Sequence, residues 1–374
     1  MAKQAQYDYI YYGTRAKAGE VATFVRHVLQ ANMRAEARGQ RKTPICIWGK
    51  HGIGKTEIVQ ALAQDMGYEF RYIAPAQFEE MGDLVGMPAI EQGRTVFRSP
   101  EWVPQQEGPG ILLIDDVNRA DDRILRGIMQ LLQNFELVSW KLPPKWQIIL
   151  TANPDGGDYS VTPMDDAMVT RMMHITLEFD PKEWAKWAEQ NGIDSRGIDF
   201  VLTYPEVVTG LRTTPRTLVQ FFETIAEIDN LGANLGLVRT LADSCLDQNT
   251  ATTFIAFVHQ ELRALISPAD ICNARDFVGE IEQPLHAMVQ KKALRVDILA
   301  TICTRLANYL SLSERSLNED QLSNVIAFIK MDFLPNDIRL AMVQDLADPD
   351  KPNSASLLPI LEDPEIGKIL LEGM

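Results

Sequence analysis

The sequence predicts an α/β fold built on a parallel central sheet and followed by helices. Two patterns lead there. Between Pro44 and Phe179 short apolar runs alternate with stretches of helical periodicity, as βα units do when both faces of the sheet are covered. Beyond Phe179 the strand signal fades and helical periodicity takes over. A chain of 374 residues has room for two or three compact units with sizeable cores.

Taken in order, residues 1–43 are expected to form an N-terminal helical segment. Val21 to Ala37 is amphipathic, with Phe24, Val25, Val28 and Leu29 on one side and Arg26, Arg34 and Arg38 elsewhere. Residues 44–180 form the α/β core. They read PICIWG, EIVQALAQDMG, EFRYIAP, ILLIDDV, ILRGIMQLLQNF, QIILTAN and HITLEF, strands and helices alternating through most of the stretch. PKEWAKWAEQNG opens a smaller helical unit over 181–230, with Pro181 suited to a first turn and Gly192 to a stop. Residues 231–374 continue as helices, among them TFIAFVHQELRALI and VDILATICTRLANYLSL, broken at Pro268, Pro284, Pro335 and DPDKPNSAS.

Composition narrows the function. Hydrophobic residues make up 46% and charged residues 23%, which excludes a mainly disordered chain. Lys and Arg total 36 against 51 Asp and Glu, and the net charge of -15 disfavours an electrostatic grip on nucleic acid. No apolar run approaches the roughly eighteen residues of a membrane span, and the first residues lack a signal-peptide pattern, so a cytoplasmic protein without a membrane partner is expected. Cys46, Cys245, Cys272 and Cys303 are scattered without a C-x-x-C pair, as free thiols in a reducing compartment would be.

The sharpest motif is GKHGIGKT, Gly49, Lys50, His51, Gly52, Ile53, Gly54, Lys55 and Thr56, between the strand PICIW and a helix starting near Lys55. It fits the phosphate-loop pattern in its required context. Its glycines let backbone N–H groups approach phosphate oxygens at a helix N-terminus. Lys55 would bridge the β- and γ-phosphates of ATP, and Thr56 would offer its hydroxyl to Mg²⁺. A carboxylate must then hold the metal and another polarise water; ILLIDDVNRA supplies Asp115 for the first role and Asp116 for the second. QIILTAN ends in Asn153, a neutral group able to reach the γ-phosphate or the water. Arg171 in MDDAMVTRM and Arg216 in TTPRTL are candidate cations for charge developing on the transferred phosphoryl group.

The order of these motifs resembles the AAA+ ATPases, and more narrowly their MoxR-like group, over about residues 40–228. The resemblance rests on GKHGIGKT as Walker A, ILLIDDVNRA as Walker B, LTANP as sensor 1, DDAMVTRM as the arginine-finger region and TTPRT as sensor 2. GDLVGMP and AIEQGRTVFRSPEW resemble the group's helix-2 insertion, which implies a pore-facing hairpin within about 83–104 turning near Gln92, Gly93 and Arg94. FELVSWKLPPKW resembles its pre-sensor hairpin. The resemblance further implies a P-loop core, a helical lid over 181–230, and a homo-oligomeric ring, usually a hexamer. Arg171 of one subunit would reach ATP on the next while Arg216 acts from the lid. Family members remodel or activate protein clients in a chaperone-like way, often with a partner carrying a von Willebrand factor A domain.

One departure stands out. The family usually ends the Walker B strand in Asp-Glu, and Asp116 is one methylene shorter, so slower turnover is expected of a carboxylate that remains competent. Two alternatives follow: a nucleotide-gated scaffold that hydrolyses weakly, and a nucleic-acid motor or loader. The second would need basic pore hairpins, and this hairpin has Arg94 and Arg98 against Glu91. Arg119, Arg123 and Arg126 are expected on one face of the helix after Walker B, at an interface or as a solvated face offset by Asp121 and Asp122. Trp184 and Trp187 read as packing residues, His51 as a tolerant loop position, and His174 as structural.

Overall fold

The computed structural model describes residues 12–154, 161–209, 212–258, 266, 268–290, 299–300, 302–303, 306–307, 309–310, 317–347 and 354–372. The chain divides into two compact units, Met1–Trp184 and Ala185–Met374.

The strands of the first unit are β1 (Thr14–Ala16), β2 (Ile45–Trp48), β3 (Glu69–Ile73), β4 (Met87–Glu91), β5 (Arg94–Arg98), β6 (Gly110–Ile114), β7 (Glu136–Leu137), β8 (Trp140–Lys141), β9 (Trp146–Ala152) and β10 (Met173–Leu177). Its helices are α1 (Ala18–Ala37), α2 (Lys55–Met66), α3 (Met81–Val85), α4 (Asp122–Asn134) and α5 (Asp166–Val169), and α6 (Pro181–Gln190) starts within it. Six strands form one sheet in the order β1, β10, β2, β9, β6, β3, and every pairing is parallel.

β2, β6 and β9 are buried along their whole length, which is why they read as apolar runs and not as alternation. Successive side chains nevertheless go to opposite faces. Ile45, Ile47, Ile111, Leu113 and Ile149 pack with Val25, Leu29, Val59 and Leu62 of α1 and α2. Cys46, Trp48, Leu112, Ile114, Ile148 and Leu150 pack with Ile124, Ile128 and Leu131 of α4. Each such side chain contributes about 1.5–3 kcal/mol by leaving water, and together they hold the C-terminal ends of β2, β6 and β9 side by side.

The N-terminal segment departs from the helix-only expectation. α1 is present, but Thr14–Ala16 adds a strand beside β10. Its residues, TRA, carry no apolar pattern; the parallel main-chain pairing with β10 recruits them, and Thr176 Oγ1 donates to the Tyr12 carbonyl at 3.0 Å. Residues 1–11 of the expected segment lie outside the described residues.

Two hairpins stand beside the sheet. β4 and β5 pair antiparallel through Gln92 and Gly93, whose φ values of 49° and 75° belong to the mirror-image turn that favours glycine. Gly86 enters this hairpin at φ 90°, and a Cβ there would sit 1.9 Å from the Arg98 carbonyl oxygen, so only glycine fits. β7 pairs with β8. Trp102 meets Trp140 edge-on at 5.4 Å, and the Phe97 N–H donates to Ser139 Oγ at 3.0 Å, tying one hairpin to the other.

The described residues of the second unit are helical. α7 (Ser195–Thr203) and α8 (Pro215–Ala226) precede helices at Leu235–Cys245, Gln248–Val258, Pro268–Asn273, Glu319–Ile329, Asn336–Leu346, Ser354–Leu361 and Pro364–Glu372. An aromatic cluster joins them: Phe254 lies 5.1 Å from Phe200, 4.8 Å from Phe221 and 6.1 Å from Phe222. Asp194 and Arg196 fasten the start of α7 to the far end of α8, Arg196 Nη1 donating to Ile228 O at 2.8 Å and Nη2 to Ile225 O at 3.0 Å. The four cysteines are free. Burial pushes the Cys272 thiol up to about 11 and Cys303 to about 12, leaving both as inert apolar groups.

Candidate nucleotide site

The loop Gly49–Gly54 leaves the end of β2 and runs into α2. Gly54 is the residue before the helix and takes φ 100°, ψ 20°, a left-handed conformation that strains any side chain. The first turn of α2 therefore brings its N–H groups to the loop. Lys55 is buried, at 5% exposure, and its ammonium donates to the carbonyls of Gly49 (2.8 Å) and Lys50 (3.2 Å) and to Asn153 Oδ1 (3.1 Å). Asp116 Oδ1 lies 3.9 Å from the same ammonium. A buried cation beside a helix N-terminus makes a positive centre that fits phosphate.

Asp115 follows β6 and lies across from α2. Its Oδ1 accepts from Thr56 Oγ1 at 2.8 Å and from Thr151 Oγ1 at 2.6 Å, and its Oδ2 from Tyr72 OH at 3.2 Å. Thr56 and Asp115 thus present two hard oxygen ligands side by side. This donor set fits Mg²⁺, which takes few protein oxygens and completes its shell with water and phosphate. No cluster of three or more His, Cys, Asp or Glu that could hold a metal exists among the described residues, so a metal here would depend on phosphate for its remaining ligands.

Asp116 takes φ 46°, unusual for a non-glycine residue. Its N–H donates to Thr151 Oγ1 at 2.8 Å, its Oδ1 accepts from Asn153 Nδ2 at 3.0 Å, and its Oδ2 pairs with Arg119 Nε at 3.1 Å. Asn153 is fully buried, with Oδ1 facing Lys55 and Nδ2 facing Asp116. Lys55, Thr56, Asp115, Asp116 and Asn153 therefore form one hydrogen-bonded constellation with the glycine loop. His51 is half-buried within that loop.

Two members escaped the sequence reading. Thr151 bridges Asp115 and Asp116; it stands two residues before Asn153 on a buried strand, and the period of two places both on one face. Asn118 is fully buried and clamps the main chain of Asn153, donating Nδ2 to its carbonyl at 2.8 Å and accepting from its N–H at 3.1 Å. The sequence carries no signal for it: only in the fold is this amide buried, where it needs partners.

The arginines stand differently. Asp165 caps α5 through the Met168 N–H at 2.7 Å, and Arg171 follows this short helix. Its guanidinium donates to the Ala167 carbonyl and lies 3.5 Å from Gln133 Oε1, neither belonging to the phosphate loop or the acidic strand end. Arg216 belongs to the second unit, exposed in the first turn of α8 behind Thr214, which caps that helix. The expected arginine face after Walker B needs correction. Arg119 ends a separate 3-10 turn, Val117–Arg119, before α4 begins at Asp122, and it pairs with Asp116. Arg123 and Arg126 are largely solvated and pair with Asp121 and Asp122. Trp184 packs against Phe179, whereas Trp187 is 41% exposed.

Residues 44–172 match the AAA domain family, dynein-related subfamily. This stretch, about a third of the chain, is similar to AAA domains. It carries the glycine loop, the acidic strand end and Asn153 in the order described above. Midasin of Giardia intestinalis is 27% identical over 174 residues, an alignment covering 42% of this chain and 4% of Midasin's own length. Among solved structures, a point mutant of RuvB from Thermotoga maritima is similar at TM-score 0.39 and 13% identity, over 72% of this chain and 87% of that one. The Thermotoga maritima RuvB Holliday junction branch migration motor gives TM-score 0.37 and 15% identity, over 81% of this chain and 94% of that one.

Proposed function

We propose that this chain is an ATP-hydrolysing AAA+ ring ATPase of MoxR type that remodels or activates a protein partner. The observation that carries the reading is the Thr56–Asp115 hydrogen bond beside the buried Lys55, which joins the phosphate loop to the acidic strand in one AAA+ domain. The loop Gly49–Thr56, with Lys55, binds the phosphates of ATP; Thr56 and Asp115 hold Mg²⁺, which supplies charge neutralisation at the phosphates when bound. Asp116 accepts a proton from the attacking water, Asn153 holds that water in place, and the products are ADP and phosphate.

Arg171 acts in trans. In a ring, taken to be a hexamer, it reaches the nucleotide of a neighbouring subunit, a reading supported by its contacts to its own helix and to Gln133 and not to its own phosphate loop. Arg216 acts from the lid. The client is a protein, and a von Willebrand factor A domain partner is what the MoxR resemblance implies. The β4–β5 hairpin supports a protein client over nucleic acid: Met87 and Ile90 on it are 73% and 83% exposed, and Arg98 is paired with Glu91. Among the described residues no helix is long and apolar enough to cross a membrane, and we place the ring in the cytoplasm.

A second reading, a nucleotide-gated scaffold with weak hydrolysis, is favoured by one observation. Both carboxylate oxygens of the short Asp116 side chain are engaged, by Asn153 and by Arg119. Steady-state hydrolysis of Mg²⁺-ATP with size measured in parallel separates the readings. The motor predicts turnover in the assembled state that Asp116→Asn abolishes with ATP binding retained. Tight binding without turnover in an assembled ring gives the scaffold instead.

A further inference from the structure

The arginine-finger segment is connected to the phosphate-loop strand through His174. β10 lies beside β2 with His174 opposite Cys46 and Thr176 opposite Trp48, so His174 and Trp48 face the same side of the sheet. Trp48, the residue before Gly49, is fully buried, and its Nε1–H donates to His174 Nδ1 at 2.9 Å. An indole N–H only donates, so Nδ1 must be the accepting nitrogen and the proton sits on Nε2. His174 Nε2 lies 2.7 Å from the Val169 carbonyl and donates to it. Val169 is the last residue of α5, two before Arg171, and its carbonyl also accepts from the Met172 N–H at 3.3 Å. Tyr12 covers the pair, with its ring 4.7 Å from Trp48 and 5.6 Å from His174. α5 has only four residues, too short to fix its own end by helical hydrogen bonds alone.

We propose that His174 is a positioning residue for Arg171, fixing the end of α5 from the base of the phosphate loop through Trp48. This rests on the reading of Arg171 as a cation supplied to a neighbouring subunit. The turn bearing the finger is then pinned to the strand bearing the same subunit's phosphate loop. The effect of His174 therefore belongs to the subunit that donates the finger and not to the one that hydrolyses.

Mixed assemblies of full-length chains test this. Asp116→Asn subunits keep the finger but do not hydrolyse, and Arg171→Ala subunits keep the site but donate no finger, so their mixture regains turnover where the first stands beside the second. Placing His174→Phe in the Asp116→Asn donor is expected to lower that regained turnover about a hundredfold, the scale of a roughly 1 Å misplacement. The same change in the Arg171→Ala acceptor leaves it within about twofold. His174→Gln in the donor, which keeps one acceptor and one donor, restores most of the loss. Trp48→Phe in the donor, which frees the imidazole to change tautomer, lowers turnover less than His174→Phe. Size and thermal unfolding of each variant show that it folds and assembles. Equal losses in donor and acceptor, or no loss in the donor, overturn the proposal. A parent mixture that stays silent while wild type is active overturns the trans reading itself, a failure seen before any His174 change is made.

Discussion

The phosphate-loop constellation and the segment bearing Arg171 sit in the same compact unit yet are held in opposite ways. Lys55, Thr151, Asn118 and Asn153 are buried and each bonds to another element of the site. Arg171 is half-buried, and its contacts are to a carbonyl of its own helix and to Gln133. A phosphate-binding half-site needs fixed donors before ligand arrives, since reorganisation at the moment of reaction raises the barrier. A cation that serves another molecule cannot be buried in its own. The difference is what the proposed completion of the site by a second copy of the chain requires.

Arg171→Ala has the largest expected effect. It is expected to lower turnover by about 10³-fold or more, equivalent to about 4 kcal/mol at the transition state. ATP affinity, measured by titration, and thermal stability should remain near wild type, because Arg171 reaches no group of the half-site. A loss of affinity equal to the loss of turnover would place Arg171 in its own subunit's site.

Next in size is Ile114→Ala, beneath Asp115 on β6. Removing this fully buried side chain should cost about 2–5 kcal/mol in denaturant unfolding and weaken ATP binding with it. An unchanged unfolding midpoint would mean that the half-site does not depend on the sheet below it.

Asn118→Ala should cost less, about 1–3 kcal/mol, because it leaves the buried N–H and carbonyl of Asn153 without partners. The expected signature is a fall in turnover larger than the fall in ATP affinity, since Asn153 is displaced and Lys55 is not. Equal falls would assign Asn118 to packing alone.

How far the molecule could be read from its sequence follows from the same physics. The strands of the core were legible because both faces are buried, which forces apolar runs, and the glycine loop because its backbone geometry admits few other residues. β1 was not legible: TRA is held by main-chain pairing with β10, which leaves no mark on side-chain pattern. Arg119 was misplaced because its spacing to Arg123 and Arg126 is helical, while the turn after Asp116 stops at Arg119 and α4 starts anew at Asp122 under its Asp121 cap. Asn118 and Thr151 were overlooked because a polar side chain looks solvent-facing until the strand and turn around it are known to be buried. The helices past residue 230 were legible as helices only, since helical periodicity shows which face is apolar without showing what it meets.

The smallest expected effect separates the two units by pH. Hydrogen bonds from Arg196 hold the Asp194 carboxyl below the usual carboxylate range, against the opposing effect of its burial. A carboxyl depressed in the folded state adds stability above its unfolded pKa, near 4, and loses it as pH falls through the lower folded value. Asp194→Asn should therefore lower the stability of the second unit at neutral pH and flatten its acid limb below about pH 4, leaving the phosphate loop untouched. An acid limb identical to wild type would remove Asp194 from that account.

A nucleotide site completed between subunits ties ATP turnover per subunit to protein concentration, measured with oligomer size followed at each point. Turnover that is near zero for the monomer and rises with assembly, while ATP binding is already present at the lowest concentration, is the predicted result. Turnover per subunit that is the same in monomer and assembly would contradict it.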